Sequence, residues 1–343
     1  MPHDIVVIGG STGAVEVVQQ ICADLPADLA AAVFVVVHTG ALGRDLLAPL
    51  LEAAGPMPAC SAQDGARIEP GRIYIAPPDA HLVLLSETMK LGRGPRENMT
   101  RPAVDPLFRS AALNHGPRVI GLVLTGLLND GASGLAAIQE CGGITIVQNP
   151  SDALADEMPL GALEVCDVDY RCSALELGHT LGRLALTPAG EGRPAPRGLA
   201  LEVDIALGRP STTPILSQIA DPVALSCPAC GGVLSVMKEE VPLRFRCQVG
   251  HGYSAKALAT QQEGSVDEAL RVALRIVEER ATLATRMVKN DRLNGRLGSA
   301  KLLDARIDEL RGHAELIRTT LIGDAERGGS DSGLPDGELS PNA

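Results

Sequence analysis

The chain has 343 residues, of which 45% are hydrophobic and only 2% aromatic, and its formal net charge is −12. This length predicts two or three domains with a core built from aliphatic side chains. The acidic balance excludes non-specific nucleic-acid binding, because DNA phosphates would repel the protein. With no secretory signal and no apolar stretch of membrane-spanning length, we expect a cytoplasmic protein without membrane insertion.

Residues 4–186 alternate between apolar strand patterns and helical patterns. The strands are apolar on both faces, which is typical of a parallel sheet covered by helices on both sides. The predicted strands are residues 5–8, 32–37, 119–124 and 144–147, and helical periodicity follows at 15–22 and 132–140. The sequence therefore predicts an α/β fold with a doubly wound, mostly parallel sheet.

Two local patterns in this region predict further elements. Residues 72–76 and 81–85 are expected to form a strand pair across Pro77-Pro78-Asp79. Asp105 as the N-cap and Pro106 as the first helical residue predict the start of a helix. The domain that contains these strands and helices is expected to be the catalytic domain and to span residues 1–186.

The C-terminal half changes composition several times. A Pro- and Gly-rich stretch predicts a linker at 187–221, and a small cysteine module at 222–260 follows it. Residues 261–322 predict a helical hairpin divided near Gly295 and Gly298. One apolar face of this hairpin would contain Leu270, Leu274, Val277, Leu302, Leu303, Ile307 and Leu310. We expect it to pack on a partner or form a homodimer, with a solvated hairpin as the alternative, and residues 323–343 to be disordered.

Three polar residues each follow a predicted strand. Ser11 lies in Gly9-Gly10-Ser11-Thr12-Gly13, His38 follows the second strand, and Asp130 lies in Asn129-Asp130-Gly131. Because the carboxyl ends of parallel strands face one crevice, these side chains are expected to meet there. Each has a structural alternative: Ser11 caps a helix or its glycines bind phosphate, His38 is a polar boundary residue, and Asp130 belongs to a turn.

The pattern G-x-S-x-G between a strand and a helix suits a nucleophilic serine. Small residues permit the tight turn that exposes the side chain, and backbone N–H groups at the helix start can bind an oxyanion. Asp130 would accept the Nδ1–H of the His38 imidazole and fix its tautomer. The sequence thus favours a hydrolase, and the absence of G-x-G-x-x-G disfavours dinucleotide binding.

The cysteine module has the spacing of a metal site. Cys227 and Cys230 form C-x2-C, and Cys247 with His251 forms C-x3-H after sixteen intervening residues. Four such ligands suit a tetrahedral zinc and leave no open position, so we expect a structural zinc ion. The alternative is a reduced, buried cysteine cluster. The other five cysteines are scattered singly, which fits a reducing compartment.

Residues 4–185 resemble the catalytic domain of the CheB-type protein-glutamate methylesterases of bacterial chemosensory systems. The matching motifs occur in family order: Ile8-Gly9-Gly10-Ser11-Thr12-Gly13, Val36-Val37-His38, Asp64-Gly65, Ile73-Tyr74-Ile75-Ala76-Pro77, Arg101-Pro102-Ala103-Val104-Asp105-Pro106-Leu107-Phe108, Leu124-Thr125-Gly126, Asn129-Asp130-Gly131, Gln148-Asn149 and Met158-Pro159. The cysteine module resembles a zinc-ribbon extension of some stand-alone relatives.

The resemblance implies Ser11 as nucleophile, His38 as general base and Asp130 as its orienting partner. The backbone around Thr12 and Leu127 would form the oxyanion pocket, and no cofactor would be required for catalysis. The implied reaction is hydrolysis of γ-glutamyl methyl esters on receptor helices, with glutamine deamidation in some members. Arg101 either anchors an acidic substrate surface or forms a salt bridge at a helix entrance.

Some positions depart from the family pattern. Leu127-Leu128 stands where the family usually has Met-Gly, Val37 where it has Gln, and Thr100 where it has His. The family's regulators typically carry a receiver domain before the esterase domain. Here the first strand begins near residue 4, so we expect regulation by another route.

Three functions are compatible with the sequence. The first is a serine esterase that acts on modified glutamate side chains of a methylated receptor or another protein. The second is a scaffold or regulatory protein with weakened chemistry, acting through its zinc module and C-terminal helices. The third, a nucleotide-binding α/β domain, has the least support.

Overall fold

The computed structural model describes residues 1–38, 46–238 and 242–328, with side chains as far as residue 321. The chain divides into two compact units, Met1–Ala259 and Thr260–Ala343. Within the described ranges, none of the helices combines the length and hydrophobicity that crossing a lipid bilayer would need.

The first unit is built on a seven-stranded sheet in which every neighbouring pair is parallel. The strands before residue 190 are β1 Ile5–Gly10, β2 Ala32–Val37, β3 Ala59–Ser61, β4 Ile73–Ile75, β5 His81–Leu84, β6 Met89–Gly92, β7 Val119–Val123, β8 Ile144–Gln148 and β9 Tyr170–Cys172. The spatial order is β3-β4-β2-β1-β7-β8-β9, while β5 and β6 form a separate antiparallel pair.

Helices cover both faces of the sheet, which confirms the doubly wound α/β prediction. They are α1 Ala14–Asp24, α2 Leu47–Ala54, α3 Val104–His115, α4 Ala132–Glu140, α5 Glu157–Val165 and α6 Ala174–Ala185. Alternate residues of β1 point into two separate cores, as the two-residue period of a strand requires. Val6 and Ile8 pack with α1 and α6, whereas Ile5 and Val7 pack with α3 and α4.

The cysteine module is a four-stranded antiparallel sheet, which we call the ribbon. Its strands are β10 Ala220–Ser226, β11 Val233–Met237, β12 Arg244–Cys247 and β13 Gly252–Ser254, paired in chain order. Two short helices, α7 Leu199–Ala206 and α8 Thr213–Leu216, precede it. The ribbon belongs to the same compact unit as the seven-stranded sheet.

The predicted linker at 187–221 differs from what the structure shows, because α7 is part of the core. Leu199, Glu202 and Val203 are buried, and α7 packs on α3. Pro and Gly mark the turns around this helix but not the helix itself, so composition alone suggests a linker where the chain is well packed.

Two further local predictions are wrong. Residues 73–75 do not pair with 81–84, because β4 lies in the large sheet between β2 and β3 while β5 pairs with β6. Asp105 is not the N-cap of α3, since the helix begins at Val104 and its N-cap is Ala103. The Asp105 side chain instead accepts a hydrogen bond from the backbone N–H of Gly134 on α4 at 2.8 Å.

The sequence predicts a helical hairpin, and the second unit contains all of it except the first five residues of its first helix. Helix α9, Ala255–Leu293, and helix α10, Leu297–Gly328, are joined by a turn in which Gly295 adopts a φ of 75°. The side chains of Ala284, Val288, Ala300 and Ile307 form its apolar cluster. Leu302, expected on that apolar face, is 76% exposed. The predicted disordered tail, 323–343, is wrong for residues 323–328, which continue α10, and its remaining residues 329–343 lie outside the described residues.

Substitution of Phe34 tests the packing of the core beneath β1 and β2. The Phe34 side chain is fully buried and stacks on Tyr74 with ring centroids 5.3 Å apart. We expect Phe34→Ala to lower the free energy of unfolding by about 3–5 kcal/mol, measured by urea denaturation, because it leaves a large cavity. Leu175→Ala, at a side chain 72% exposed, is the control and should change it by less than about 0.5 kcal/mol. Equal effects of the two substitutions would contradict the packing described.

Candidate active site

Ser11 and His38 occupy equivalent positions beyond the ends of adjacent parallel strands. Gly10 of β1 is in register with Val37 of β2, and the backbone N–H of His38 donates to the carbonyl oxygen of Gly10 at 3.2 Å. Ser11 and His38 are therefore the next pair across two strands that are about 4.8 Å apart. This places the hydroxyl and the imidazole at one edge of the sheet, as the sequence predicts.

The turn that carries Ser11 is fixed by β7 and the loop after it. The Ser11 N–H donates to the Thr125 carbonyl oxygen at 2.9 Å, and Gly13 adopts a left-handed φ of 77° just before α1. Gly126 lies so close to Ser11 that a Cβ atom on it would be 2.8 Å from the Ser11 Cβ. The small residues of both motifs thus permit the close approach of two loops around the serine.

His38 is hydrogen-bonded to Asp130 across the sheet edge. Its Nε2 atom lies 2.9 Å from Oδ2 of Asp130, and both side chains are largely buried. The expectation that Asp130 binds Nδ1 is wrong, because the ring presents Nε2 to the carboxylate. This orientation leaves Nδ1 as the nitrogen that can accept the Ser11 proton.

The Asp130 carboxylate receives five hydrogen bonds. Besides His38, the donors are the backbone N–H groups of Val104, Asp105 and Gly131 and the side-chain amide of Asn98. Val104 and Asp105 are the first residues of α3, and a helix N-terminus stabilises an anion. Burial favours the neutral acid, but these donors and the His38 imidazole outweigh it and lower the pKa of Asp130 to about 2.

Asp105, beside Asp130, has the opposite electrostatic environment. Burial and the nearby charge of Asp130 raise the pKa of Asp105 to about 6. Because the pKa of Asp130 is lower than that of Asp105, Asp130 is the carboxyl group that ionises first as the pH rises. Asp130 is therefore the ionised partner that can stabilise a protonated imidazole.

The hydroxyl of Ser11 makes no hydrogen bond to His38 or to any other residue in the part of the chain that the structure describes. Thr100 Oγ1 lies 3.4 Å from Nε2 of His38, on the Asp130 side of the ring, and so leaves Nδ1 to Ser11. Hydrogen bonds between a nucleophile and its base commonly form only in the substrate complex. The structure thus places Ser11 beside the His38–Asp130 pair, but the hydrogen bond between the Ser11 hydroxyl and the His38 ring is not formed.

Two backbone N–H groups next to Ser11 fit an oxyanion pocket. Among the described residues, neither Thr12 nor Leu127 has a protein acceptor for its backbone N–H. Leu128 has a φ of 64° and donates its own N–H to Oε2 of Glu157 at 2.9 Å. The loop at 127–128 is therefore held by α5, and the Thr12 and Leu127 donors remain available to a ligand.

Thr125 joins the serine turn to the loop at 126–128, a role that the sequence analysis does not assign. Its Oγ1 donates to the Thr12 carbonyl oxygen and accepts from Ala155 N–H, both at 2.9 Å. Its backbone N–H donates to Oε1 of Gln148 at 2.9 Å. The motif Leu124-Thr125-Gly126 is the sequence feature that points to Thr125. The groups that its hydroxyl and backbone N–H contact are seen only in the structure.

Arg101 is engaged in a salt bridge. Its Nε and Nη2 atoms donate to Oδ1 of Asp79 at 3.0 and 2.6 Å, and Nη1 donates to the Gly94 carbonyl oxygen at 2.8 Å. These contacts use donors on all three nitrogens of the guanidinium group. The geometry favours the salt bridge over a substrate anchor.

The four predicted metal ligands converge at one end of the ribbon. The ligand atoms of Cys227, Cys230, Cys247 and His251 all lie within 4.8 Å of one another. The sulfur atoms of Cys230 and Cys247 are 3.7 Å apart, and Nδ1 of His251 lies 3.5 Å from Cys247 Sγ and 3.8 Å from Cys227 Sγ. A disulfide needs about 2.05 Å, so Cys230 and Cys247 are thiols.

Three of the six separations, those between 3.5 and 3.8 Å, match the edges of a tetrahedral zinc site. With Zn–S and Zn–N distances near 2.3 and 2.1 Å, the ligand atoms should lie about 3.6–3.8 Å apart. Two tight turns present the cysteines: Gly231 N–H donates to the Cys227 carbonyl oxygen and Gly250 N–H to that of Cys247, each at 2.8 Å. The donor set and its geometry therefore fit zinc.

Comparison with known proteins agrees with the site. The CheB methylesterase family pattern matches residues 6–181. A putative protein-glutamate methylesterase/protein-glutamine glutaminase of Leptospira interrogans is 34% identical over 185 residues, covering 54% of this chain and 96% of that protein. A protein-glutamate methylesterase/protein-glutamine glutaminase of Maricaulis maris is 33% identical over 186 residues, covering 53% of this chain and 46% of that protein.

A solved structure leads to the same family. The Thermotoga maritima CheB methylesterase catalytic domain superposes with a TM-score of 0.52 and 31% sequence identity, covering 53% of this chain and 98% of that domain. The family pattern spans just over half of the 343 residues. On these grounds the chain belongs to the CheB methylesterase family.

Proposed function

We propose that this protein is a serine hydrolase that removes methyl esters from glutamate side chains of a chemoreceptor-like protein and can deamidate glutamine there. The observation that carries the proposal is the 2.9 Å hydrogen bond between His38 and Asp130, formed where Ser11 leaves the adjacent strand. Family membership and the names of the relatives support the reaction class.

In the proposed mechanism, Nδ1 of His38 takes the proton of the Ser11 hydroxyl as the oxygen attacks the ester carbonyl. The N–H groups of Thr12 and Leu127 stabilise the resulting oxyanion. Asp130 stabilises the imidazolium, which then protonates the departing methoxide to give methanol. Water, deprotonated by His38, hydrolyses the acyl-enzyme and returns a free carboxylate. An amide substrate releases ammonia by the same steps.

The openness of the site supports a protein substrate. Leu127 is 53% exposed, and Leu154, which contacts the turn at Gly13, is 77% exposed. These leucines place an apolar surface beside a half-buried Ser11. Such a surface suits a glutamyl side chain presented on a folded partner, such as a receptor helix, because the neighbouring apolar residues of that helix would cover the leucines.

We further propose that Cys227, Cys230, Cys247 and His251 bind one structural zinc ion. Zinc would cross-link the two turns of the ribbon and would leave no open position for catalysis. Burial lowers the pKa of the His251 imidazole, and the neutral imidazole is the form that binds metals. The ribbon buries few apolar side chains of its own, so a metal would contribute to its stability.

The serine mechanism is tested by measuring methanol release from methylated receptor membranes. We expect Ser11→Ala to lower turnover by about 10⁴–10⁶-fold, because the nucleophile is lost. Asp130→Asn should lower it by about 10⁴-fold, because the imidazole loses its tautomer and its counter-charge. Full activity of Ser11→Ala would eliminate the mechanism. A wild-type protein that binds these membranes but releases no methanol would favour the scaffold function instead.

The zinc site is tested by metal analysis of the purified protein. The wild type should contain about one zinc ion per chain, and Cys230→Ser should contain at least about tenfold less after dialysis, because one of four ligands is lost. Cys60→Ser, which changes a partly exposed thiol of β3, is the matched control and should keep its zinc. Unchanged zinc content in Cys230→Ser would refute the assignment.

A further inference from the structure

Asn98 donates a hydrogen bond to the Asp130 carboxylate. It does not belong to any of the three strand ends that carry Ser11, His38 and Asp130. Its Nδ2 atom donates to Oδ1 of Asp130 at 2.9 Å and to Oδ2 of Asp105 at 3.1 Å. The residue is buried. Asn98 therefore bonds to the carboxylate oxygen that His38 does not use, and it contributes to the low pKa of Asp130.

The ribbon holds Asn98 in this position. The side-chain Oδ1 of Asn98 accepts a hydrogen bond from the Ser254 backbone N–H at 2.9 Å, and the Asn98 N–H donates to the Gly252 carbonyl oxygen at 2.9 Å. Both partners lie on β13. The acceptor bond to Ser254 also fixes which end of the amide faces Asp130, because it directs the NH₂ group toward the carboxylate.

Two of the predicted metal ligands flank the turn that leads into β13, the strand that contacts Asn98. Cys247 ends β12, His251 immediately precedes β13, and Ser254 lies three residues after His251. A metal bound by Cys247 and His251 would fix the turn between the two strands. The position of Gly252 and Ser254, and through them that of Asn98, would then depend on metal loading.

A buried charge network ties the same hairpin to the residue before Asn98. Arg246 of β12 donates to Glu97 and to Glu202, and Arg109 of α3 also pairs with Glu97. These four side chains are almost fully buried, where an ion pair is weakly screened. The ribbon thus holds both Glu97 and Asn98 against the start of α3.

The ribbon also reaches the loop of the proposed oxyanion pocket. Ser254 Oγ donates to Oδ1 of Asn129, the residue before Asp130. Lys256 lies at the start of α9, two residues after the ribbon ends, and its Nζ is 2.7 Å from Oε2 of Glu157, the same oxygen that accepts the Leu128 N–H. Besides its contacts to Asn98, the ribbon therefore reaches the active site through Asn129, and the helix that follows it reaches the loop at 127–128 through Glu157.

From these contacts we propose that Asn98 is a positioning residue through which the metal-loaded ribbon orients Asp130 and so sets the turnover of the esterase. The ribbon is then a structural part of the active site and not a separate appendage. Loss of the metal would release β13, and Asn98 would no longer hold Asp130 in line with His38.

The variant that isolates the amide is Asn98→Gly. Asn98 has a left-handed φ of 48°, which glycine adopts without strain, and the backbone N–H to Gly252 is retained. The rate constant kcat for a chromogenic acetate ester is measured per active serine, counted by titration with a fluorophosphonate. Asn114→Ala is the control, because within residues 1–38, 46–238 and 242–328 the Asn114 amide donates to the carbonyl oxygens of Leu84 and Ser110 and to no group of the active site.

We expect Asn98→Gly to lower kcat by roughly 10- to 100-fold with little change in KM, the effect of losing a hydrogen bond to a charged group. The acid limb of kcat/KM against pH should move to higher pH, because a carboxylate with one donor fewer attracts the imidazolium proton more strongly. Asn114→Ala should retain kcat and the pH profile. A wild-type kcat and pH profile for Asn98→Gly would overturn the positioning role.

Removal of the metal tests the link between the ribbon and Asn98. Wild-type protein dialysed against a chelator, with zinc content measured, should show the lower kcat and shifted acid limb of Asn98→Gly, and added zinc should restore both. In the Asn98→Gly background, removal should have much less further effect, because coupled residues act non-additively. A zinc-free wild type that keeps kcat and pH profile overturns the proposal, and this comparison decides it even if the variant does not fold.

Because the role of Asn98 rests on the proposed serine mechanism, Ser11→Ala is measured in parallel. An inactive Ser11→Ala with a fully active Asn98→Gly would refute only the positioning role. An active Ser11→Ala would refute the proposed function itself.

Discussion

The constraint on which the site depends is the burial of one ionised carboxylate, that of Asp130. A buried anion is stable only when donors replace the water it has lost. The first two N–H groups of α3, the Asn98 amide, the Gly131 N–H and the His38 ring supply those donors. Because they come from four parts of the chain, the position of Asp130 fixes the relation between α3, the sheet edge and the segment that carries Asn98.

The parts of the fold that short-range patterns control could be predicted from the sequence. Buried strands such as Ala32–Val37 and the helix Ala132–Glu140 have the predicted bounds, because their apolar period is undisturbed. The family motifs likewise pointed to Ser11, His38 and Asp130, which the structure places at one sheet edge. The predicted pairing of β4 with β5 is wrong because the turn signal at Pro77-Pro78-Asp79 specifies a chain reversal but not which strands pair.

What the sequence could not reveal are interactions between distant residues. Arg246 and Glu97 are 149 positions apart, and Arg244 and Glu202 are 42 apart. No local pattern marks a charged residue as buried, so Arg246 and Glu202 resemble ordinary surface charges of a ribbon and a linker. The choice of Nε2 over Nδ1 in His38 is also a consequence of three-dimensional packing, since either nitrogen is chemically suitable.

The buried charges explain why α7 cannot be a linker. Arg109, Arg244 and Arg246 are all buried, and each would be unstable there without an anion nearby. Glu202 of α7 bonds to Arg244 and Arg246, and Glu97 bonds to Arg109 and Arg246. Burial opposes ionisation of Glu202, but the three arginines outweigh it and lower its pKa. Since each of the two acids holds an arginine of the ribbon, one buried charge network joins α7, the loop around Glu97 and the ribbon.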